Sequence, residues 1–154
     1  MITYNNIVTK FTEFCTDHFL VETFSFGSPS DVDLDKFERY PLVHMVYTGA
    51  DYNSPKAKTY NIELYILTLP PAEADKVGQQ KEAISNAEQI AEDFLADVAR
   101  GFEVFEQKHL YEVTAASVTP LEETQSNTLS GCLLDLAIQV PYEYDACNAP
   151  LTGA

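Results

Sequence analysis

The run Lys58–Leu69 (KTYNIELYILTL) constrains the fold of this chain more than any other segment. Side chains of a β-strand point alternately to opposite faces, so Tyr60, Ile62, Leu64 and Ile66 share one face while Asn61, Glu63, Tyr65 and Leu67 share the other. The first face is wholly apolar and demands a second layer to bury it. The second face is half aromatic or aliphatic, which reads as a surface that meets a partner. Pro70 and Pro71 then end the strand, because proline cannot donate to a sheet ladder.

The covering layer is supplied by the longest helical pattern, Glu73 to about Phe105, in which Ile84, Ala87, Ile90, Ala91, Phe94, Leu95 and Val98 recur at helical spacing. Glu82, Glu88, Glu92, Asp93 and Asp97 occupy its opposite, solvated face, and Gly78 and Gly101 are expected to mark its ends. An earlier amphipathic helix is expected from Ile2 to Leu20, with Ile2, Ile7, Phe11, Phe14, Cys15 and Phe19 on its apolar side. Further strands are read at Val21–Phe26, at Leu42–Tyr47, at Tyr111–Val118 and at Cys132–Val140. Leu42–Tyr47 is almost continuously apolar, which places it between two covering layers or in an interface. Gly49–Pro55 (GADYNSP) carries turn chemistry at nearly every position and is expected to join two antiparallel strands, and a polar acidic loop is expected after Pro120. The order of elements predicts an α+β fold: a mostly antiparallel β-sheet flanked by an N-terminal helix and one long central helix, both on one face. Residues 1–154 are read as a single domain with an irregular C-terminal arm at about 141–154.

Charge narrows the function. The chain carries 24 Asp and Glu against 9 Lys and Arg, a net −15. Such a surface repels phosphates and anionic lipids, which excludes a nucleic-acid binder and a protein adsorbed to an acidic membrane. The excess is uneven: Met1–Val77 has 6 cations against 11 acids, or −5, and Gly78–Ala154 has 3 against 13, or −10. No Lys or Arg follows Lys108. The negative surface is therefore expected at Glu88, Glu92, Asp93, Asp97, Glu122 and Glu123. Cys15, Cys132 and Cys147 are odd in number and widely spaced, which fits a reducing compartment better than a disulfide framework. No basic segment leads into an apolar one at the N-terminus and no stretch is long and apolar enough to span a bilayer, so neither export nor membrane insertion is expected.

Chemistry-bearing motifs are sparse. Asp31, Asp33 and Asp35 begin like a calcium loop, but Lys36 and Leu42 stand where that loop needs Gly and Glu, so a solvated acidic loop is the better reading. His18, His44 and His109 lie on different elements without ligand spacing, and no metal or other cofactor is expected; His44 in its apolar strand reads as a hydrogen-bonded core or interface residue. Cys15 and Cys132 fall on apolar faces, where cysteine behaves as a small hydrophobe, and no base flanks Cys147. Glycine-dependent phosphate and hydrolase signatures are absent, so no catalytic residue is assigned and the chain is read as not an enzyme. Aromatics stand outside the expected core instead. Phe24, Phe26, Phe37, Tyr40, Tyr52, Tyr142 and Tyr144 lie in loops or short elements. Phe24, Phe26, Tyr40, Tyr142 and Tyr144, together with Tyr65 and Leu67, form the expected subunit interface.

The element order and the phrases YPLVHMV, ILTL, SNAEQIAEDFLADV and TPLEE…LSGCLLDLAIQVPYEYDACNAP resemble the tail-terminator, tail-completion and neck structural proteins of tailed double-stranded DNA bacteriophages. The resemblance implies a virion protein, made in the host bacterial cytoplasm, that forms a homo-oligomeric ring, commonly six-fold, where tail or connector tube meets its neighbour. It implies partners among tail-tube or connector proteins, a lumen through which DNA passes without specific binding, and loops and an arm that touch adjacent subunits. It marks Pro41, Leu42, Val43, Gly131, Val140, Pro141, Asp145, Cys147 and Pro150 as pattern positions, none catalytic. Ala146 stands where a basic residue is expected beside Cys147, so the resemblance does not extend to a salt-bridged arm. In a ring, edge strands pair with the next subunit, which would account for the two-sided Lys58–Leu69 strand. A second reading, from the charge alone, is an acidic cytosolic adaptor or inhibitor that binds a basic partner by mimicking nucleic acid. A third is a small enzyme with a pocket of convergent carboxylates.

Overall fold

The computed structural model describes residues 3–27, 40–68, 76–99, 112–124 and 129–141. The elements are α1 (Tyr4–Asp17), β1 (Thr23–Phe26), β2 (Leu42–Ser54), β3 (Ala57–Thr68), α2 (Lys76–Ala99), β4 (Glu112–Thr124) and β5 (Leu129–Pro141). They build an α+β fold around one five-stranded sheet in the order β1-β2-β3-β5-β4. The sheet is mixed: β1 runs parallel to β2, and every other neighbouring pair is antiparallel. The loop with Asp31, Asp33, Asp35 and Phe37 lies outside the described residues, as do Gly101, His109, Tyr111 and the arm with Tyr142, Tyr144, Asp145, Cys147 and Pro150.

Helix α1 starts where Thr3 caps it. The Asn6 amide donates to Thr3 Oγ1 at 3.3 Å, and the Thr3 amide donates back to Asn6 Oδ1 at 2.9 Å, a reciprocal box that satisfies two otherwise orphaned donors. Ile7, Phe11 and Cys15, one helical turn apart, are its buried residues. The expected extension to Leu20 is corrected: His18 leaves helical dihedrals, with φ −79° and ψ 118°, and the helix stops at Asp17. Phe19 consequently lies beyond the helix and is 86% exposed, off the apolar stripe assigned to it.

Both helices cover the same sheet face. Val43 and Met45 of β2, Tyr60, Ile62, Leu64 and Ile66 of β3, and Cys132, Leu134, Leu136, Ile138 and Val140 of β5 join Ile7 and Phe11 of α1 and Ala87, Ile90, Ala91, Phe94 and Val98 of α2 in one core. The Phe94 ring is the hinge of this layer, 5.2 Å from the Phe11 ring in an edge contact and 3.8 Å from the Phe14 ring. Within α2 the buried stripe is Ala83, Ala87, Ile90, Ala91, Phe94 and Val98, with Ile84 and Leu95 at its half-buried margin. Gly78 falls inside the helix and does not mark its end.

Three further expectations change. Segment Gly49–Ser54 is strand, not turn: β2 continues to Ser54 opposite β3, and only Pro55 and Lys56 make the turn. Gly49, at φ +140°, absorbs a bulge between Tyr47 and Gly49, a conformation L side chains rarely adopt. The polar residues then bond across the hairpin: Thr48 Oγ1 donates to the Asn61 carbonyl at 2.9 Å, Asn61 Nδ2 to Asp51 Oδ2 at 2.9 Å, and Asn53 Nδ2 to Thr59 Oγ1 at 3.1 Å. Strand β4 likewise runs through Pro120 to Thr124, where a loop is expected, because it is an edge strand and an outward-turned proline nitrogen costs its ladder nothing. Finally, β3 is the central strand of the sheet and no edge. Its two-sided character follows from that position, with Thr59 and Leu67 buried on the face away from the helices.

Candidate assembly surface

Among the described residues no helix or strand covers the sheet face opposite the helices, yet Leu42, His44, Val46, Thr59 and Leu67 on it are buried, while Ala115, Ser117 and Thr119 of β4 are exposed. Its rows can be read across from the register. Leu42, Leu67, Gly131 and Leu121 form one row, His44, Tyr65, Leu133 and Thr119 the next, and Val46, Glu63, Asp135 and Ser117 the third. The row of Asn61, Ala137 and Ala115 follows. The first row is apolar: Leu42 and Leu67 are buried, with Tyr40, Tyr65 and Leu121 packed against them. Gly131 is dictated here by close approach, because a Cβ at this position would stand 1.9 Å from the Ile66 carbonyl oxygen. His44 is fully buried and its Nδ1 lies 2.6 Å from Ser25 Oγ, the hydrogen-bonded role expected of it.

The third row turns acidic. Glu63 and Asp135 are direct partners across β3 and β5, and like charges so placed repel. The Tyr65 phenol registers both: burial first, then the Glu63 carboxylate by charge and hydrogen bond, then Asp135, hold its pKa above the ordinary tyrosine value. Beside this row, Asn61, Ala115, Ser117, Asp135 and Ala137 line an open hollow of about 270 Å³. Small side chains make its floor. On its β4 side, residues Thr114–Pro120 are all exposed.

The expected interface residues divide. Phe24 lies on the helix side of β1, packed against the main core, whereas Phe26 is 60% exposed. Tyr40, Tyr65 and Leu67 gather on the face away from the helices, Leu67 buried and the two tyrosines half-buried. The expected negative surface divides too. Glu88 and Glu92 are exposed. Asp93 accepts from His18 Nε2 at 2.8 Å and from Gln89 Nε2 at 3.2 Å, and Asp97 stands 3.8 Å from Lys10 Nζ. These two acids clasp α1 to α2. Leu20 N–H donates to His18 Nδ1 at 3.2 Å, so the ring proton sits on Nε2, facing Asp93. Side chains of Glu122 and Glu123 lie outside the described residues.

A tyrosine cluster at the β2–β3 hairpin was not legible in the sequence. The Lys58 ammonium lies 4.5 Å from the Tyr60 ring centroid and 5.2 Å from that of Tyr52, while the Tyr47 ring packs in tilted contacts between Tyr4 at 4.5 Å and Tyr60 at 6.1 Å. Burial by itself lowers the Lys58 pKa, but the Tyr60 and Tyr52 hydroxyls outweigh it and hold the amine above its ordinary value.

Neither of the two described thiols is activated. Burial pushes the Cys15 thiol up to about 12, and burial with the nearby Glu88 charge pushes Cys132 up to about 12, so neither supplies thiolate at neutral pH. Among the described residues no three His, Cys, Asp or Glu side chains gather to hold a metal ion, and no helix is long and apolar enough to cross a membrane. A hollow between α2 and β3, lined by Pro41, Thr68, Asn86 and Ile90 among others, measures about 30 Å³, room for water but not for a substrate. No protein-family model matches the chain, and a search of curated proteins returns no match.

Proposed function

We propose that this chain is a non-enzymatic structural protein of a tailed phage virion, a tail-terminator, tail-completion or neck protein that assembles into a ring at the head–tail junction or tail end. In this reading the N-terminal helix and the long central helix back the sheet, and the sheet presents the contact surface. The observation that carries the reading is the exposed side of the sheet: both helices pack on one face, and the 13-residue edge strand β4 bonds to β5 alone among the described residues, with Thr114–Pro120 all exposed. A long exposed edge is a liability that proteins retain where another chain uses it. The resemblance in sequence phrases points the same way. Net charge adds a functional fit, since a negative wall lets DNA slide past within a screening length of roughly 8–10 Å.

The acidic-adaptor reading loses part of its footing, because two of the four helix acids it would use, Asp93 and Asp97, are engaged within the chain. The deciding experiment is light scattering and negative-stain electron microscopy of the purified protein, alone and with tail-tube protein. Rings of defined subunit number, and the chain's presence in purified particles, are the expected result. A monomer at millimolar concentration that is absent from particles overturns the reading.

A further inference from the structure

The outer edge of β4, which pairs with no strand among the described residues, has a definite hydrogen-bonding register. Pro120 pairs with Cys132 in an unbroken stretch of ladder that runs back to Ala115 opposite Ala137. A residue without an N–H fits that ladder only where its nitrogen turns away from β5, so Pro120 occupies a non-hydrogen-bonded pair. The two-residue period of an antiparallel ladder then turns the N–H and C=O of Ala116 and Val118 outward, while Ser117 and Thr119 bond to β5. Bulges between Val113 and Ala115 and between Leu121 and Thr124 bracket this stretch. Its length suits a short strand of about five residues and no longer pairing.

Side chains decide what that strand must carry. In the register above, the docked residue opposite Ser117 forms a close, non-hydrogen-bonded pair and shares the open face with Ser117, Asp135 and Glu63, in that order across the sheet. Ala115, Ser117 and Ala137 are too small to block its path, and they floor the hollow whose wall is Asp135. The docked strand and β5 lie two strand spacings apart, roughly 9.5 Å, which a long basic side chain and the Asp135 carboxylate span together across Ser117. A cation there would also relieve the repulsion between Asp135 and Glu63. A second copy of this chain is poorly suited as donor: its net charge is −15 and no Lys or Arg follows Lys108.

We infer that β4 receives a short extended segment of a different protein, added as a sixth strand beside Ala116–Val118 with a lysine or arginine opposite Ser117 that reaches Asp135. This rests on the chain being an assembly protein and names the class of its partner: a neighbour with an exposed basic strand.

The test uses the full chain and synthetic seven-residue peptides of alternating Val and Thr with Lys, Glu or norleucine at the centre. Fluorescence anisotropy at low and high salt gives affinities, and amide shifts locate the site. The Lys peptide is expected to bind at least tenfold tighter than the Glu and norleucine peptides, to shift the Ala116 and Val118 amides, and to weaken with salt. Asp135→Asn is expected to remove about tenfold of the Lys preference with the backbone shifts retained, and Val118→Pro to abolish binding by all three peptides. Thermal melts of both variants confirm that they fold, and Asp135→Asn decides the matter if Val118→Pro does not. Equal affinity for the three peptides, shifts away from β4, or self-pairing of the chain through β4 overturns the inference. Rings that form while no peptide binds defeat this inference alone, whereas peptide binding by a chain that never forms rings defeats the ring.

Discussion

Individual residues in this protein are set by what stands a few ångströms away. Gly131 is the sharpest case. The β3 backbone passes so close that a methyl group there would overlap the Ile66 carbonyl oxygen, and neither partner can give way without breaking the β3–β5 ladder. Gly131→Ala is expected to cost about 3 kcal/mol or more, measured as a lowered urea midpoint with an unchanged slope. The same substitution at Gly49 meets open space, so its cost comes only from the φ of +140°. The buried thiols give a second test. Free cysteine ionises near about 8.5, whereas Cys15 and Cys132 are held to about 12 in the folded chain, so the unfolded state loses those protons first. Their contribution to stability is therefore fully present below about pH 8.5 and is lost as pH rises toward 12. In a Cys147→Ser background, iodoacetamide at pH 7.5 is expected to leave the native protein unlabelled and to modify both thiols once urea unfolds it.

At the scale of elements, the joint between α1 and α2 combines an apolar centre with a polar rim. Phe94 fills the centre between Phe11 and Phe14, and Phe94→Ala is expected to destabilise by about 3–5 kcal/mol in chemical denaturation. At the rim, His18 and Lys10 of the first helical segment meet Asp93 and Asp97 of α2. The Lys10 pair is half open to water and contributes little, whereas the His18 side chain is only 8% exposed and bonds through both nitrogens. His18→Ala is expected to cost about 1–3 kcal/mol, since it leaves the Leu20 amide and Asp93 without that partner. Hydrogen exchange should show the loss first at the end of α1 and in residues 18–21. Strand β4 behaves oppositely. It bonds to one neighbour only and exposes Thr114–Pro120, so substitutions there should move partner binding more than stability.

Across the whole molecule, charge and layering act together. A chain of −15 repels its copies beyond contact distance, and that repulsion weakens as salt shortens the screening length from about 10 Å at 0.1 M to about 3 Å at 1 M. Self-association of the purified protein is therefore expected to rise with ionic strength, with sedimentation velocity as the measurement. Association with the basic strand inferred for β4 should fall over the same range. These opposite slopes separate subunit–subunit contacts from contacts to a partner of opposite sign.

The parts of this architecture legible in the sequence are those that a single segment determines. Alternation assigned both faces of Lys58–Leu69 and the buried face of Cys132–Val140, and helical spacing assigned Ala87, Ile90, Ala91, Phe94 and Val98 to the core. Periodicity is a property of one chain segment against one layer, so no neighbour need be known. The tertiary structure alone decided the rest. Turn-rich Gly49–Ser54 became strand because β3 offered a ladder and Asn61 and Thr59 offered side-chain partners. Pro120 stayed in a strand because β4 is an edge, and Lys58–Leu69 is two-sided because β3 is central, facts fixed by strand order and not by composition. Asp93 and Asp97 read as solvated acids until the fold brought to them His18, 75 residues before Asp93, and Lys10 of α1. Pairings of that kind depend on which distant segments the fold sets side by side, and there each hydrogen bond and charge acts over a few ångströms of space regardless of separation along the chain.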